Sequence, residues 1–184
     1  MTCVCAFVEK NGLKKTVHMI GDSCGSADQD RVCRADNKVF FQKRNDLIMG
    51  YSGSYRIGQI ARFDLDKLKK RPHGVSLLEW MCGEFVTGLR AALIANGIEG
   101  KEMDGSLMVG IDGQIFTIDQ DFHVGQNLYP YAATGAAESY AYGAMRAMHA
   151  AGHTPKECLD AAMEAAAEFC GAVMAPFTYL RKTY

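Results

Sequence analysis

Excess charge of either sign is missing from this sequence, because its 20 Lys and Arg residues nearly balance its 21 Asp and Glu residues. A net charge of -1 gives no electrostatic basis for binding nucleic acid or an anionic membrane surface. Also missing are an apolar run of membrane-spanning length and a charged-then-apolar signal segment at the N-terminus. We therefore expect a soluble, cytoplasmic protein that binds neither nucleic acid nor a membrane.

Regularly spaced cysteines are absent as well. The seven cysteines are an odd number, without a Cys-x-x-Cys pair or a histidine partner at zinc-finger spacing. The segment Asp119-Gln120-Asp121 lacks the remaining residues of a calcium-binding loop. We expect free, mostly buried thiols, no metal site and no cofactor.

The 184 residues contain no linker, low-complexity segment or short repeat, and this length suits one domain, residues 1–184. Strand patterns come first, two helices follow, strands return, and two more helices complete the order. Such segregated blocks favour antiparallel sheets with helices on their outer faces over alternating βαβ units. The expected strands are 2–8, 16–20, 39–41, 47–51, 106–111, 114–118, 129–133 and, at the end of the chain, 172–180. The expected helices are 55–70, 76–96, 136–151 and one that opens at 154.

Local signals mark several of these boundaries. Ser76 with Glu79, and Thr154 with Glu157, have the spacing of capping boxes at helix N-termini. We interpret the basic run 66–71 as the solvated C-terminal end of the first helix, where the helix dipole favours cations.

Thr2 follows Met1 directly, and this position would allow it to act as an N-terminal catalytic residue. Removal of Met1 would leave Thr2 with a free α-amine beside its own hydroxyl, which together form a nucleophile and its general base. An α-amine with a reference pKa of about 8 suits neutral pH better than a lysine of about 10.

Further motifs follow Thr2 in a fixed order. Gly21-Asp22 closes the second predicted strand, and Lys38 comes sixteen residues after Asp22. Residues 50–54, Gly-Tyr-Ser-Gly-Ser, precede the first helix, and 133–135, Ala-Thr-Gly, precede the third. Together they resemble the proteasome β-subunit superfamily, and within it the bacterial heat-shock-locus peptidase that pairs with a ring ATPase. The resemblance covers nearly the whole chain and implies an α+β fold, a four-layer αββα sandwich of the N-terminal nucleophile hydrolase type.

The resemblance also implies roles for five residues. Thr2 Oγ would be the nucleophile and its α-amine the general base. Lys38 would place a positive charge near both groups and lower their pKa values, while Asp22 would orient the lysine. The Gly53 amide would donate to the oxyanion, and Thr134 would replace the family serine that hydrogen-bonds near the N-terminal amine.

The same resemblance implies a specificity pocket, a class of substrate and partner proteins. Tyr51 and Phe40 would lie near an apolar specificity pocket, and peptides or unfolded proteins would be the substrates. Copies of the chain would form a homo-oligomeric ring or double ring that encloses the sites, with an ATPase unfoldase as a further partner. One departure is that residues 168–173 lack the Asp and Ser with which the family commonly orients the amine.

Three other interpretations stay open or are disfavoured. Residues 21–25 match the G-x-S-x-G elbow of serine hydrolases, but residues 26–31 are polar and lack the helical periodicity that this elbow requires after Ser23. A catalytically silent assembly or shell protein, of phage origin for instance, would use the same fold without its chemistry. A small-amide amidohydrolase would use the same nucleophile without a ring.

Overall fold

The computed structural model describes residues 2–27 and 30–184, and these ranges form antiparallel sheets packed against helices. In them the strands are β1 (Val4–Asn11), β2 (Lys14–Gly21), β3 (Cys24–Ala27), β4 (Asp30–Cys33), β5 (Val39–Gln42), β6 (Leu47–Gly53), β7 (Gly105–Ile111), β8 (Gln114–Ile118), β9 (Val124–Gln126), β10 (Tyr131–Thr134) and β11 (Thr178–Thr183). The helices are α1 (Tyr55–Phe63), α2 (Leu77–Trp80), α3 (Val86–Ala95), α4 (Glu138–Ala150) and α5 (Pro155–Phe169), and a π-helical segment (Met81–Phe85) joins α2 to α3.

The strands form two main sheets. One has four strands in the order β10-β1-β2-β11, and the other has five in the order β5-β6-β7-β8-β9. β3 and β4 pair with each other as a separate hairpin. Most neighbouring strands are consecutive in sequence, but β10 and β11 return to flank the hairpin formed by β1 and β2.

Alternating side chains along β1 reach two different cores. Val4, Ala6 and Val8 belong to a cluster that joins the two main sheets, whereas Cys5 and Phe7 belong to a cluster shared with α4 and α5. Successive side chains of a strand point to opposite faces, so one strand contributes to both cores. A third cluster joins the five-stranded sheet to the helical segments between Tyr55 and Ala95.

The first helix is shorter than expected, and the basic run is not a helix end. α1 stops at Phe63, and residues 65–72 follow an irregular path. Side chains from elsewhere satisfy the backbone of this stretch: Gln42 donates to the Leu65 carbonyl at 3.1 Å and Trp80 donates to the Lys69 carbonyl at 3.0 Å. These tertiary hydrogen bonds replace the helical ones that composition alone predicts.

Other boundaries agree more closely. Thr154 and Glu157 form the expected capping box, and the Ser76 hydroxyl accepts a hydrogen bond from the Glu79 amide. The β3–β4 hairpin was not expected, since β4 is exposed throughout and shows no apolar alternation. The short β9 was also missed, and the last strand begins at Thr178 instead of 172.

The cysteines are all free, and four of the seven are buried. Within residues 2–27 and 30–184, every helix is too short or too polar to serve as a membrane span.

Candidate active site

Three chain segments meet where β1 begins. Val4 is the first residue of β1 and pairs with Gly21 on one side and Thr134 on the other. This register places Thr2, which lies just before β1, close to the residues that follow β2 and β10. Thr2 is almost completely buried, with an exposed fraction of 1%.

Asp22 accepts hydrogen bonds from three sides. Its Oδ1 accepts from the Cys3 amide at 2.9 Å, and its Oδ2 accepts from the Cys24 amide at 2.8 Å. Lys38 Nζ lies 3.0 Å from Oδ1 and 3.1 Å from Oδ2. The carboxylate thus fixes the backbone next to Thr2 and holds the lysine at the same time.

Lys38 is a buried cation, since only 1% of its side chain is exposed. Its ammonium group also donates to the Cys24 carbonyl at 2.6 Å, and the Tyr55 hydroxyl donates to that same carbonyl at 3.0 Å. A charge removed from water needs a counter-charge and hydrogen-bond partners, which Asp22 and Cys24 provide. The structure therefore brings Asp22 and Lys38 together as a fixed ion pair.

Gly53 ends β6 in a conformation that favours glycine, with φ of +87°. A Cβ at this position would lie 2.6 Å from the Asp104 carbonyl oxygen and from the Gly105 Cα. Backbone thus approaches backbone closely here, an approach that any side chain would block.

Thr134 and Gly135 form the opposite wall. The Thr134 hydroxyl lies 3.2 Å from the Ser52 hydroxyl, and both side chains are buried. Gly135 has φ of +106°, and a Cβ on it would lie 2.2 Å from the Thr2 carbonyl oxygen. The turn from β10 into α4 therefore packs directly onto the backbone of Thr2.

One small open pocket, of about 370 Å³, contains most of these groups. Thr2, Gly53 and Thr134 all line it, so the candidate nucleophile, the candidate amide donor and a hydroxyl share one space. A larger cleft of about 770 Å³ lies at the far end of β1 and contains none of the expected site residues.

Comparison with solved structures shows where this fold occurs elsewhere. BPH from Thiobacillus denitrificans in complex with epoxomicin matches with a TM-score of 0.79 at 20% identity, covering 98% of both chains. A second BPH structure matches with a TM-score of 0.77 at 19% identity, covering 98% of this chain and 97% of that one. HslV from Trypanosoma brucei matches with a TM-score of 0.69 at 19% identity, covering 98% of both chains. No family model and no curated protein sequence matches this chain.

The chain has the proteasome-like fold. The three neighbouring structures are of the proteasome and HslV type, as the motif order from Thr2 to Gly135 predicts. At this identity the likeness concerns the fold, so the chemistry of Thr2 has to be argued from its own surroundings.

Three acidic residues also line the pocket in this proteasome-like fold, namely Asp104, Asp119 and Glu138. Partial burial, followed by the negative charge of Asp119, raises the pKa of Glu138 above its ordinary value, while a hydrogen bond with the Gly135 backbone opposes the shift. Glu138 therefore ionises less readily than a fully solvated glutamate.

Phe40 and Tyr51 are both buried, with exposed fractions of 2% and 3%. They belong to the core between the five-stranded sheet and the helices, where the Tyr51 ring meets Tyr55 edge-on at 5.8 Å. Burial also raises the pKa of Tyr51 above its ordinary value. Their part in a specificity pocket stays a prediction.

The serine-elbow motif has a different role in this fold. Ser23 is followed by β3 instead of a helix, and its hydroxyl donates to the Pro176 carbonyl. Asp28 and Gln29, which belong to the polar stretch after it, lie outside the described residues.

In the described ranges, no group of three His, Cys, Asp or Glu residues is arranged to hold a metal ion.

Sequence reasoning missed three contributors to the site. Ser52 and Gly135 lie inside the two motifs, but the motifs alone do not show that Ser52 contacts Thr134 or that Gly135 packs on Thr2. The Cys24 carbonyl, which Lys38 and Tyr55 share, has no sequence signal because any residue provides a carbonyl.

Proposed function

We propose that the chain is a threonine peptidase of the proteasome family that hydrolyses peptide bonds with Thr2 as its N-terminal nucleophile. The observation that carries this proposal is the shared pocket of Thr2, Gly53 and Thr134, next to the buried pair of Lys38 and Asp22. Met1, whose removal would free the Thr2 amine, lies outside the described residues.

In the first half of the reaction, the Thr2 α-amine accepts the hydroxyl proton while Oγ attacks the peptide carbonyl carbon. The carbonyl π electrons move to oxygen, and the Gly53 amide donates a hydrogen bond to the oxyanion. The intermediate collapses as the C–N bond breaks, and the ammonium of Thr2 returns its proton to the leaving amine. An ester between Thr2 and the acyl half of the substrate remains.

In the second half, water attacks the ester carbon and gives its proton to the Thr2 amine. Collapse of the second tetrahedral intermediate releases the carboxylic acid, and the proton returns to Thr2 Oγ. The pair of Lys38 and Asp22 supports both halves, because a fixed positive charge nearby favours the unprotonated amine and the developing alkoxide. Peptide and water are consumed, and the enzyme is regenerated.

We further infer one domain over residues 1–184 with four layers, because the three core clusters match helix-on-sheet, sheet-on-sheet and sheet-on-helix interfaces.

Rings or double rings of this chain would enclose the sites and exclude folded proteins. Exposed large apolar side chains support association between copies, notably Leu13, Leu128 and Phe169. An ATPase unfoldase would deliver unfolded chains, as the resemblance to the heat-shock-locus peptidase implies, and a cytoplasmic location would suit both partners.

A silent assembly protein is the second candidate, favoured by one sequence observation. Residues 168–173 contain no Asp or Ser to orient the Thr2 amine, although Glu168 and Cys170 lie there. Ring assembly without hydrolysis across a broad peptide panel would support it. A monomer that hydrolyses small amides would instead indicate an amidohydrolase.

The deciding experiment compares wild-type protein, freed of Met1, with Thr2→Ala and Thr2→Ser on fluorogenic peptides. We expect Thr2→Ala to fall to background and Thr2→Ser to retain part of the rate, because serine keeps the hydroxyl and the amine. A Thr2→Ala protein with the wild-type rate would refute the mechanism. Thr183→Ala, which changes an exposed threonine of β11, controls for the loss of a hydroxyl elsewhere.

A further inference from the structure

We propose that Ser52 is a positioning residue of the Thr2 site, whose hydroxyl links the two main sheets through Thr134 and thereby fixes the Gly53 amide relative to Thr2. This inference rests on the proposed peptidase function. It concerns a residue that the motif comparison leaves without a role.

The hydrogen bond crosses from one sheet to the other. Ser52 lies on β6 of the five-stranded sheet, and Thr134 is the last residue of β10 in the four-stranded sheet. Their hydroxyl oxygens are 3.2 Å apart, and the two residues are 6% and 5% exposed. Few solvent molecules can therefore compete for this bond.

The neighbours of the two hydroxyl residues are the groups whose separation matters for catalysis. Gly53 follows Ser52 on the first side, and Gly135 follows Thr134 on the second. A Cβ on Gly135 would lie 2.2 Å from the Thr2 carbonyl oxygen and 3.4 Å from the Ser52 Cβ. Ser52 and the Thr2 carbonyl thus flank the same glycine, so any change in the spacing of the sheets here changes the distance between the Gly53 amide and Thr2.

Apolar packing between the sheets cannot set this distance alone. The cluster that joins them consists of residues such as Val4, Val39 and Ile48, and their attraction is non-directional. A hydrogen bond prefers a narrow range of lengths and angles. Because reacting groups misplaced by about 1 Å can lower a rate about a hundredfold, a directional link beside the nucleophile has a direct kinetic consequence.

The test is a double-mutant cycle of Ser52→Ala and Thr134→Val, read as kcat and KM separately. We expect Ser52→Ala to lower kcat about three- to tenfold, the kinetic equivalent of one ordinary hydrogen bond, with KM little changed. The double variant should be no slower than Thr134→Val alone, since one bond is lost in both. Thr134→Ser, which keeps the hydroxyl, should preserve the rate.

Stability and folding are controlled in the same series. The hydroxyl pair of Thr16 and Thr183, 2.9 Å apart on β2 and β11, is exposed, so Thr183→Val should leave kcat unchanged. Rates are measured well below each variant's Tm, so that a purely structural role would not change kcat. If Ser52→Ala does not fold, Ser52→Cys retains the side-chain shape with a weaker hydrogen bond and takes its place in the cycle.

Failure of this inference can be told apart from failure of the proposed function. An active wild-type enzyme with unchanged kcat in the Ser52 variant, or with effects that add in the double variant, would overturn the role of Ser52 alone. A wild-type chain freed of Met1 that hydrolyses no peptide would overturn the peptidase proposal and this inference with it.

Discussion

At the scale of single residues, the buried pair of Asp22 and Lys38 is the strongest electrostatic feature of the site. Two charges removed from water attract each other strongly, but each also loses its hydration. The net contribution of the pair to stability is therefore small compared with the destabilisation that follows when one partner is removed.

We predict that Asp22→Asn destabilises the fold by about 3–5 kcal/mol, because it leaves the Lys38 ammonium buried without a counter-charge. Urea unfolding measures the change, and the double variant with Lys38→Met should lose less than the sum of the single losses. Asp160→Asn, which breaks an exposed ion pair with Lys156, is the matched control, with an expected loss of about 0–1 kcal/mol. A loss in Asp22→Asn as small as in this control would contradict the account.

Glu138 gives a pH-dependent prediction. Its folded-state pKa is raised above the ordinary 4.5, so the folded protein holds this proton more tightly than the unfolded chain. The resulting stability is complete below about pH 4.5 and is lost as the pH rises through the folded pKa. Glu138→Gln should therefore have a higher Tm than wild type at pH 7, and this advantage should disappear near pH 4.

Thermal unfolding at both pH values checks this prediction. The same change at Glu164, exposed on α5, controls for the loss of one negative charge. An advantage of Glu138→Gln that persists unchanged at pH 4 would show that the ionisation of Glu138 is not its cause.

At the scale of elements, the turn between β10 and α4 determines how closely the chain approaches Thr2. Gly135 adopts a positive φ there and leaves no room for a Cβ. In contrast, Gly143 lies within α4, where an added Cβ would meet nothing within 4 Å. The two glycines thus differ in backbone conformation and in the space available for a side chain.

Alanine at these two positions should have opposite effects. Gly135→Ala should lower both stability and peptide hydrolysis, because the residue is strained at positive φ and its Cβ collides with the Thr2 carbonyl. Gly143→Ala should raise stability by about 0.5–1 kcal/mol without changing the rate, since alanine is the better helix former. Chemical unfolding and peptide assays on both variants test this. Equal effects at the two sites would contradict the described turn.

Element types were predictable where local signals were strong. The capping box formed by Thr154 and Glu157 is such a local feature, and it occurs as expected. The prediction that the first helix continues to residue 70 was wrong. The side chains of Gln42 and Trp80, which are distant in sequence, form hydrogen bonds with the backbone of this stretch. Local propensity has no access to such tertiary bonds.

At the scale of the whole molecule, the proteasome-like fold was predictable from motif order. The structure brings Asp22 and Lys38 together as the motif comparison implies. The Cys24 carbonyl has no residue signal, and the bond between Ser52 and Thr134 depends on how the two main sheets stack, which no residue pattern in one strand encodes. The fold was therefore more accessible to sequence reasoning than the contacts around Thr2.

Assembly belongs to this scale as well. Each chain has a mass of 20.1 kDa, so the proposed rings should sediment as particles many times heavier. Exposed apolar side chains such as Leu128 would be covered by neighbouring copies. Sedimentation velocity over a range of concentrations measures this directly. A monomer at all concentrations would contradict ring formation and favour the amidohydrolase alternative.

The most direct test of the central claim is mass spectrometry of the purified protein after incubation with epoxomicin, the compound present in one BPH complex. We predict a chain that has lost Met1 and gained one inhibitor, with the adduct on Thr2 and none on Thr2→Ala. A chain that has lost Met1, remains unlabelled and cleaves no peptide would contradict it.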